Sequence, residues 1–259
     1  MKLPTVNLIY FSPTGTSRKV VKAIGRGLEA KQINEFDITQ TDFKVKDFGN
    51  ELTIIGVPVY KGRLPIEVIP RLKKFNAENT PVVLVAVYGN RDFDDALLEL
   101  KDLSAELGFT PVAAAAFIGE HSYSTESKPI AKNRPDEADL LKAKQFAGEI
   151  LEKLEKNDGL ELNVSGNYPY KKIPNAPVMA PRTIDGKCTL CGICADVCPV
   201  DVISVNKTVI TNAEACIWCC ACVKACPEDA RIFDAPLIKQ ITKNLFANCS
   251  ERKEPEFFI

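Results

Sequence analysis

Histidine is nearly absent from this chain: among 259 residues only His121 is one. A metal centre that needs several imidazoles, such as the di-iron site of an oxygen reductase, is therefore excluded. No cysteine precedes Cys188, so roughly the first 180 residues offer neither thiolate ligands nor disulfides. Neither sign of charge is in excess. The net charge is −1 with 26% charged residues, and the composition carries no bias toward nucleic acid or membrane. No apolar run reaches the length that spans a bilayer, and the first residues show no secretory pattern, which sets the expectation of a soluble, cytoplasmic protein. Two nucleotide motifs are missing as well. No Walker-type Gly-Lys-Ser/Thr follows the first candidate loop, and Gly25-Arg26-Gly27 lies within a helical pattern and lacks the third glycine of a dinucleotide fingerprint. Dependence on NAD(P) is not expected.

What the chain does hold is ten cysteines, all near its C-terminal end. Eight of them form two copies of one pattern: Cys188-x-x-Cys191-x-x-Cys194-x-x-x-Cys198-Pro199 and Cys216-x-x-Cys219-x-x-Cys222-x-x-x-Cys226-Pro227. Three closely stepped thiolates wrap one face of a cubane, and the cysteine before proline runs away to a neighbouring cluster. The spacing thus predicts two 4Fe-4S clusters with crossed ligands. One takes Cys188, Cys191, Cys194 and Cys226; the other takes Cys216, Cys219, Cys222 and Cys198. A disulfide framework would need an oxidising compartment and suits small secreted domains. Zinc sites use two knuckles of two ligands, which four evenly stepped cysteines fit poorly. Cys220 reads as a small packed side chain, with a substitute ligand as the alternative, and Cys249 as a free thiol.

Residues 183–235 resemble the bacterial two-cluster ferredoxins. An internal duplication carries the likeness beyond the cysteines: Asp201 repeats as Asp229, and Thr183-Ile184-Asp185 precedes the first copy much as Thr211-Asn212-Ala213 precedes the second. The resemblance implies a small α+β unit in which clusters replace an ordinary core, so that metal binding and folding coincide.

The segment before the cysteines is long enough for a domain of its own. Runs at Val6–Phe11, Leu52–Val57, Val82–Val87 and Val112–Ile118 read as strands buried on both faces, with a weaker one over Gln32–Ile38. Between them, Val20, Val21, Ile24 and Leu28 mark one amphipathic helix, Val68, Ile69 and Leu72 a second, and Ala96, Leu97, Leu100, Leu103 and Leu107 a third. A last helix from about Pro135 is expected to turn Leu141, Phe146, Ile150 and Leu154 inward. Five strands alternating with helices predict an α/β fold with a doubly wound parallel sheet.

Ligands of such sheets sit beyond the carboxyl ends of the strands. The first loop there, Ser12-Pro13-Thr14-Gly15-Thr16-Ser17, opens a helix and collects four hydroxyls at its positive end, a phosphate cradle without a lysine. Helix capping alone is the plainer reading, although capping needs one hydroxyl only. Position by position, Ser12, Thr14, Gly15, Thr16 and Ser17 match the Ser/Thr-x-Thr-Gly-x-Thr core of flavodoxins, and the likeness covers about residues 3–157. It implies an FMN whose phosphate is held there. It also implies ring contacts from Pro58, Val59, Tyr60, Lys61 and Gly62 after the third strand, and from Tyr88, Gly89, Asn90, Arg91, Phe93, Asp94 and Asp95 after the fourth. Tyr60 and Tyr88 are candidates for stacking or for ordinary loop packing. Asp94 and Asp95 are expected to oppose flavin reduction, or in the case of Asp94 to cap the next helix. His121, in Glu120-His121-Ser122-Tyr123-Ser124, departs from a short flavodoxin; it either has a flavin or substrate role or is a hydrogen-bonded surface residue.

Together the two likenesses resemble the fused flavodoxin–ferredoxin proteins of anaerobes. The units expected are 1–160 (FMN), 161–182 (a stiff connector with Pro169, Pro174, Pro177 and Pro181, anchored by Tyr168 and Tyr170), 183–235 (clusters) and a C-terminal extension 236–259. FMN takes two electrons and each cubane carries one, so such a chain links one- and two-electron partners. The expected function is electron transfer with a redox protein, such as a ferredoxin-type donor, as partner and without nucleic acid or membrane insertion. The alternatives are an FMN-dependent reductase of a small acceptor, quinone or metal centre, and a redox-sensing cluster module. No acid, base or nucleophile constellation names a catalytic residue.

Overall fold

The computed structural model describes residues 3–156 and 161–259. Five strands, β1 (Thr5–Tyr10), β2 (Gln32–Asp37), β3 (Leu52–Pro58), β4 (Thr80–Tyr88) and β5 (Phe109–Ile118), run parallel in the order β2-β1-β3-β4-β5. This is the flavodoxin-type order of a doubly wound sheet, reversing between β1 and β3. The helices are α1 (Thr16–Gly27), α2 (Val68–Leu72), α3 (Ala96–Glu106) and α4 (Glu137–Lys156).

Successive strand residues point to opposite faces. Leu8, Ile54, Val83 and Val85 therefore pack with Val20, Val21 and Ile24 of α1 and Phe146 and Ile150 of α4. Ile9, Ile55, Val57 and Leu84 pack with Val68 and Leu72 of α2 and Leu97 and Leu100 of α3. Both faces of β1, β3, β4 and β5 are covered, which is why these strands read as largely apolar runs, whereas the edge strand β2 is mostly exposed. One helical position differs from the sequence expectation. The buried stripe of α4 is Asp139, Ala143, Phe146, Ala147 and Ile150, and Leu141, one step out of phase, is 59% exposed. Asp139 is buried because Arg134 pairs with it.

The cysteine-rich region is built from short pieces: β6 (Arg182–Thr183), α5 (Ile193–Asp196), β7 (Ile203–Val205), β8 (Val209–Thr211), α6 (Ala221–Lys224) and β9 (Arg231–Ile232). β7 pairs antiparallel with β8 and β6 with β9. The chain then forms α7 (Pro236–Asn248) and β10 (Glu256–Phe258).

Both ends of this region return to the α/β domain. β10 joins the sheet as a sixth strand, antiparallel to β5, where Phe257 stacks on Phe146 with ring centroids 4.7 Å apart. The extension from 236 onward thus completes the first domain's sheet. The connector is equally embedded at its start: Leu162 is buried in the α3-side core, while residues 174–178 are exposed. The boundary expected at 160 falls on residues 157–160, outside the described residues. Among the described residues no helix is long and apolar enough to cross a membrane.

Candidate functional site

The carboxyl ends of the parallel strands open on a cavity of about 550 Å³, at the crevice where the strand order reverses and within the size range of small-molecule sites. Its floor and walls come from Thr14 and Thr16, from Pro58, Val59, Tyr60, Lys61 and Gly62, from Tyr88, Gly89 and Arg91, and from Gly119 to Tyr123. Its roof comes from distant segments: Ile173 of the connector, Ile217 and Trp218 between two cysteines, and Ile241 and Leu245 of α7.

The hydroxyls of the first loop divide their work. Ser12 Oγ accepts from the Arg18 N–H at 3.0 Å, so it caps the helix. Gly15 has φ 82°, the left-handed conformation that glycine adopts at no steric cost, and a turn closes through Gly15 N to Ser12 O at 3.0 Å. Ser17 Oγ is buried and finds no partner. The N–H groups of Thr16 and Ser17 belong to the first helical turn, where no preceding turn supplies acceptors. An unpaired buried hydroxyl, free N–H groups and the positive helix end together fit an anion at this corner.

The other candidates fall into three groups. Tyr60 reaches the cavity from a tight turn closed by two backbone bonds between Tyr60 and Arg63; burial and then the neighbouring Cys219 and Cys220 push its hydroxyl pKa far up. Lys61 Nζ lies 4.9 Å from the centre of the Trp218 ring. Tyr88 lines the cavity but is only 2% exposed and packs on Phe93, 5.6 Å away between centroids, so it is a core residue with one edge at the site.

Asn90, Phe93, Asp94 and Asp95 are not among the cavity's lining. The Asn90 amide donates to the carbonyls of Cys249 and Glu251, both at 2.7 Å, holding the C-terminal segment. Asp94 pairs with Arg91 and Lys171. The Asp95 carboxylate accepts from the N–H groups of Asn167 at 2.8 Å and Lys171 at 2.5 Å. Burial alone would raise its pKa, but these donors outweigh burial and hold it below the usual carboxylate value. The two aspartates fasten the connector; neither side chain caps α3.

His121 faces the cavity. A Cβ on Gly89 would come 2.3 Å from His121 Cδ2, so only glycine admits the ring there. Nδ1 accepts from the Tyr123 N–H at 3.0 Å. Burial, with the charges of Lys224 and Arg91 adding to it, pushes the imidazole down to about 4. His121, Tyr123, Phe233 and Trp218 form a continuous aromatic series, with centroid separations of 5.0, 6.1 and 5.9 Å.

None of the ten cysteines is in a disulfide. Cys188, Cys191, Cys194 and Cys226 line one small cavity, and Cys198, Cys216, Cys219 and Cys222 line another together with Cys220. These are the two groups of four named from the spacing. Among the described residues no three Cys, His, Asp or Glu side chains converge on a single-ion site. Cys220 is 3% exposed and sits at φ 60° at the start of α6. Ile217 lines both the second cysteine cavity and the large cavity. The two cavities thus adjoin at Ile217.

Sequence reasoning missed the roof. Trp218, the sole tryptophan, lies inside the Cys216–Cys219 step, and an aromatic there was the one available signal. Ile173, Ile241 and Leu245 carry no local mark.

Residues 181–204 match the family model described as a 4Fe-4S binding domain; the match covers the first cysteine repeat. No curated protein matches the chain. Among solved structures, a flavodoxin from the domain Archaea is 15% identical, with 58% of this chain and 99% of that one covered at a TM-score of 0.39. The Streptococcus pneumonia TIGR4 flavodoxin is 14% identical over 57% and 99%, at 0.41. Flavodoxin 2 from Bacillus cereus is 16% identical over 57% and 99%, at 0.41. These likenesses are partial, and the fold assignment rests on the strand order itself. The chain joins a flavodoxin-like α/β domain to a ferredoxin-type 4Fe-4S binding region.

Proposed function

We propose that this protein is an electron carrier that holds FMN in the large cavity and two 4Fe-4S clusters in the cysteine cavities. The observation that carries the reading is the shared wall: Ile217 touches both the large cavity and the one lined by Cys198, Cys216, Cys219 and Cys222. Bound FMN would exchange electrons in ones or twos, and each cluster one at a time. Thr14, Thr16 and Ser17 would hold the phosphate, with Tyr60, Gly89 and His121 against the ring. The cluster of Cys198, Cys216, Cys219 and Cys222 would be the nearer one. That of Cys188, Cys191, Cys194 and Cys226 would be the outer one, since Cys191 is exposed and a protein donor or acceptor can approach it.

The cavity walls support a second use, reduction of a small acceptor. His121, Tyr123 and Glu67 all line the cavity, and burial raises the Glu67 carboxyl above its ordinary pKa. The first reading is preferred because Ile217 lines both this cavity and the cysteine cavity beside it.

The test is anaerobic purification followed by assay of flavin, iron and sulfide and a stepwise reductive titration followed by EPR. One FMN with about eight irons and eight sulfides per chain is expected. Absence of flavin in a cluster-loaded protein would overturn the carrier reading.

A further inference from the structure

At one position that is buried in the second copy, the two cysteine repeats differ in charge. Aligned on their cysteines, Cys198-Pro199-Val200-Asp201-Val202-Ile203 corresponds to Cys226-Pro227-Glu228-Asp229-Ala230-Arg231. An arginine therefore stands where the first copy has isoleucine, and it is 3% exposed. The pairing of β9 with β6 sets it opposite Thr183. Nη1 donates to Thr183 Oγ1 at 2.8 Å, and Nη2 donates to Thr211 Oγ1 at 2.9 Å and to the Cys222 sulfur at 3.7 Å. These acceptors are two neutral hydroxyls and a sulfur. The Nε–H is buried without a partner, and Arg231 also lines the cavity of Cys188, Cys191, Cys194 and Cys226.

A guanidinium stays charged in a protein interior. Burying it among neutral groups is strongly unfavourable unless an opposite charge lies close. With clusters bound, the two sets of cysteines would be thiolates and supply that charge: Arg231 touches one set through Cys222 and lines the cavity of the other. Isoleucine at the duplicated position shows that the backbone here does not require an arginine.

We propose that Arg231 is a positioning residue whose single positive charge serves both clusters, favouring the reduced form of each and offsetting the repulsion between them. This rests on the two-cluster reading above. A cubane held by four thiolates is an anion that gains a further negative charge when an external donor reduces it by one electron. A fixed cation beside it therefore raises its potential, and a cation between two cubanes raises both. Burial makes the effect insensitive to salt.

The experiment compares wild-type protein with Arg231→Gln and Arg231→Lys, each assayed for iron and sulfide and then titrated reductively with EPR detection of each cluster. About four irons per wild-type chain would mean that the two-cluster reading fails before any variant is compared. With both clusters present, Arg231→Gln should lower both midpoint potentials and Arg231→Lys should leave them near wild type. Loss of clusters in Arg231→Gln but not in Arg231→Lys would also support the assignment, because charge alone separates those variants. Unchanged potentials in loaded Arg231→Gln, or movement of one cluster only, would overturn it. Cluster loss in both variants would overturn it too, since shape rather than charge would then be what the site needs.

Discussion

His121 should stay neutral across the whole working pH range, and because the chain has no other histidine the claim can be read directly. Burial first, then the charges of Lys224 and Arg91, push it from 6.5 down to about 4. At about 1.36 kcal/mol per unit, a drop of about 2.5 units is a preference of about 3 kcal/mol for the neutral ring. The unfolded chain takes up this proton near 6.5 and the folded chain only near 4. The stabilisation is therefore complete above the first value and is lost as pH falls toward the second. At pH 5.5 an ordinary imidazole is about 90% protonated, whereas this one should be about 3%. Oxidised protein labelled with 15N- and 13C-histidine should give one imidazole resonance that stays flat between about pH 8.5 and 5.5. Its nitrogen shifts should report the proton on Nε2, because Nδ1 accepts from Tyr123. A midpoint between about 6 and 7 would refute the burial argument, and a proton on Nδ1 would refute the hydrogen-bond assignment.

Three further outcomes are expected. Cys198→Ala and Cys226→Ala should each damage the cluster bound by the opposite repeat, as resolved by EPR, with Cys249→Ala leaving both intact; loss confined to the same repeat would end the crossed-ligand reading. Thr14→Ala or Thr16→Ala should weaken FMN about ten- to a hundredfold, since a bond to a dianion is worth about 1.5–3 kcal/mol, while riboflavin binding stays nearly constant; equal weakening of both flavins would rule out the phosphate site. Asp95→Asn should loosen the connector rather than retune the flavin. It weakens charge-assisted bonds of about 1.5–3 kcal/mol each, and the amide oxygen keeps a neutral acceptor, so a loss of about 2–4 kcal/mol in urea unfolding with an unchanged flavin potential is expected; the reverse pattern would restore the tuning role.

The sheet was legible in the sequence because helices cover both faces of its central strands, so Val82–Val87 is apolar throughout and Leu52–Val57 is so but for Thr53, and neither reads as a half-exposed strand. The 4Fe-4S binding match at residues 181–204 was legible for a different reason: the spacing of Cys188, Cys191, Cys194 and Cys198 is a local property of the chain. What failed was long-range pairing. Asp95 reads locally as a loop carboxylate at the end of a strand, and nothing near it announces partners 72 and 76 residues away. The strand Glu256–Phe258 is three residues long and takes its order from the β5 edge, so no period could reveal it. Leu141 shows the limit of the helical pattern, because a shift of one residue turns a side chain by about 100° and carries it from the core to solvent.

A body fixed at one point can swing, at two points can only turn about the line between them, and at three points off that line cannot move at all. The cysteine-rich region is tied by the connector at Asp95, by the returning strand at Ala114–Ala116, and directly by Arg71 Nη2 donating to the Pro199 carbonyl next to Cys198. Lys224 adds a further tie through Glu120 and Ser124. Electron tunnelling falls off exponentially with separation, so a swinging mount would spread the transfer rate over orders of magnitude. If the large cavity and the cysteine cavities hold their proposed groups, this mount would narrow the spread of gaps between them, and with it the spread of rates.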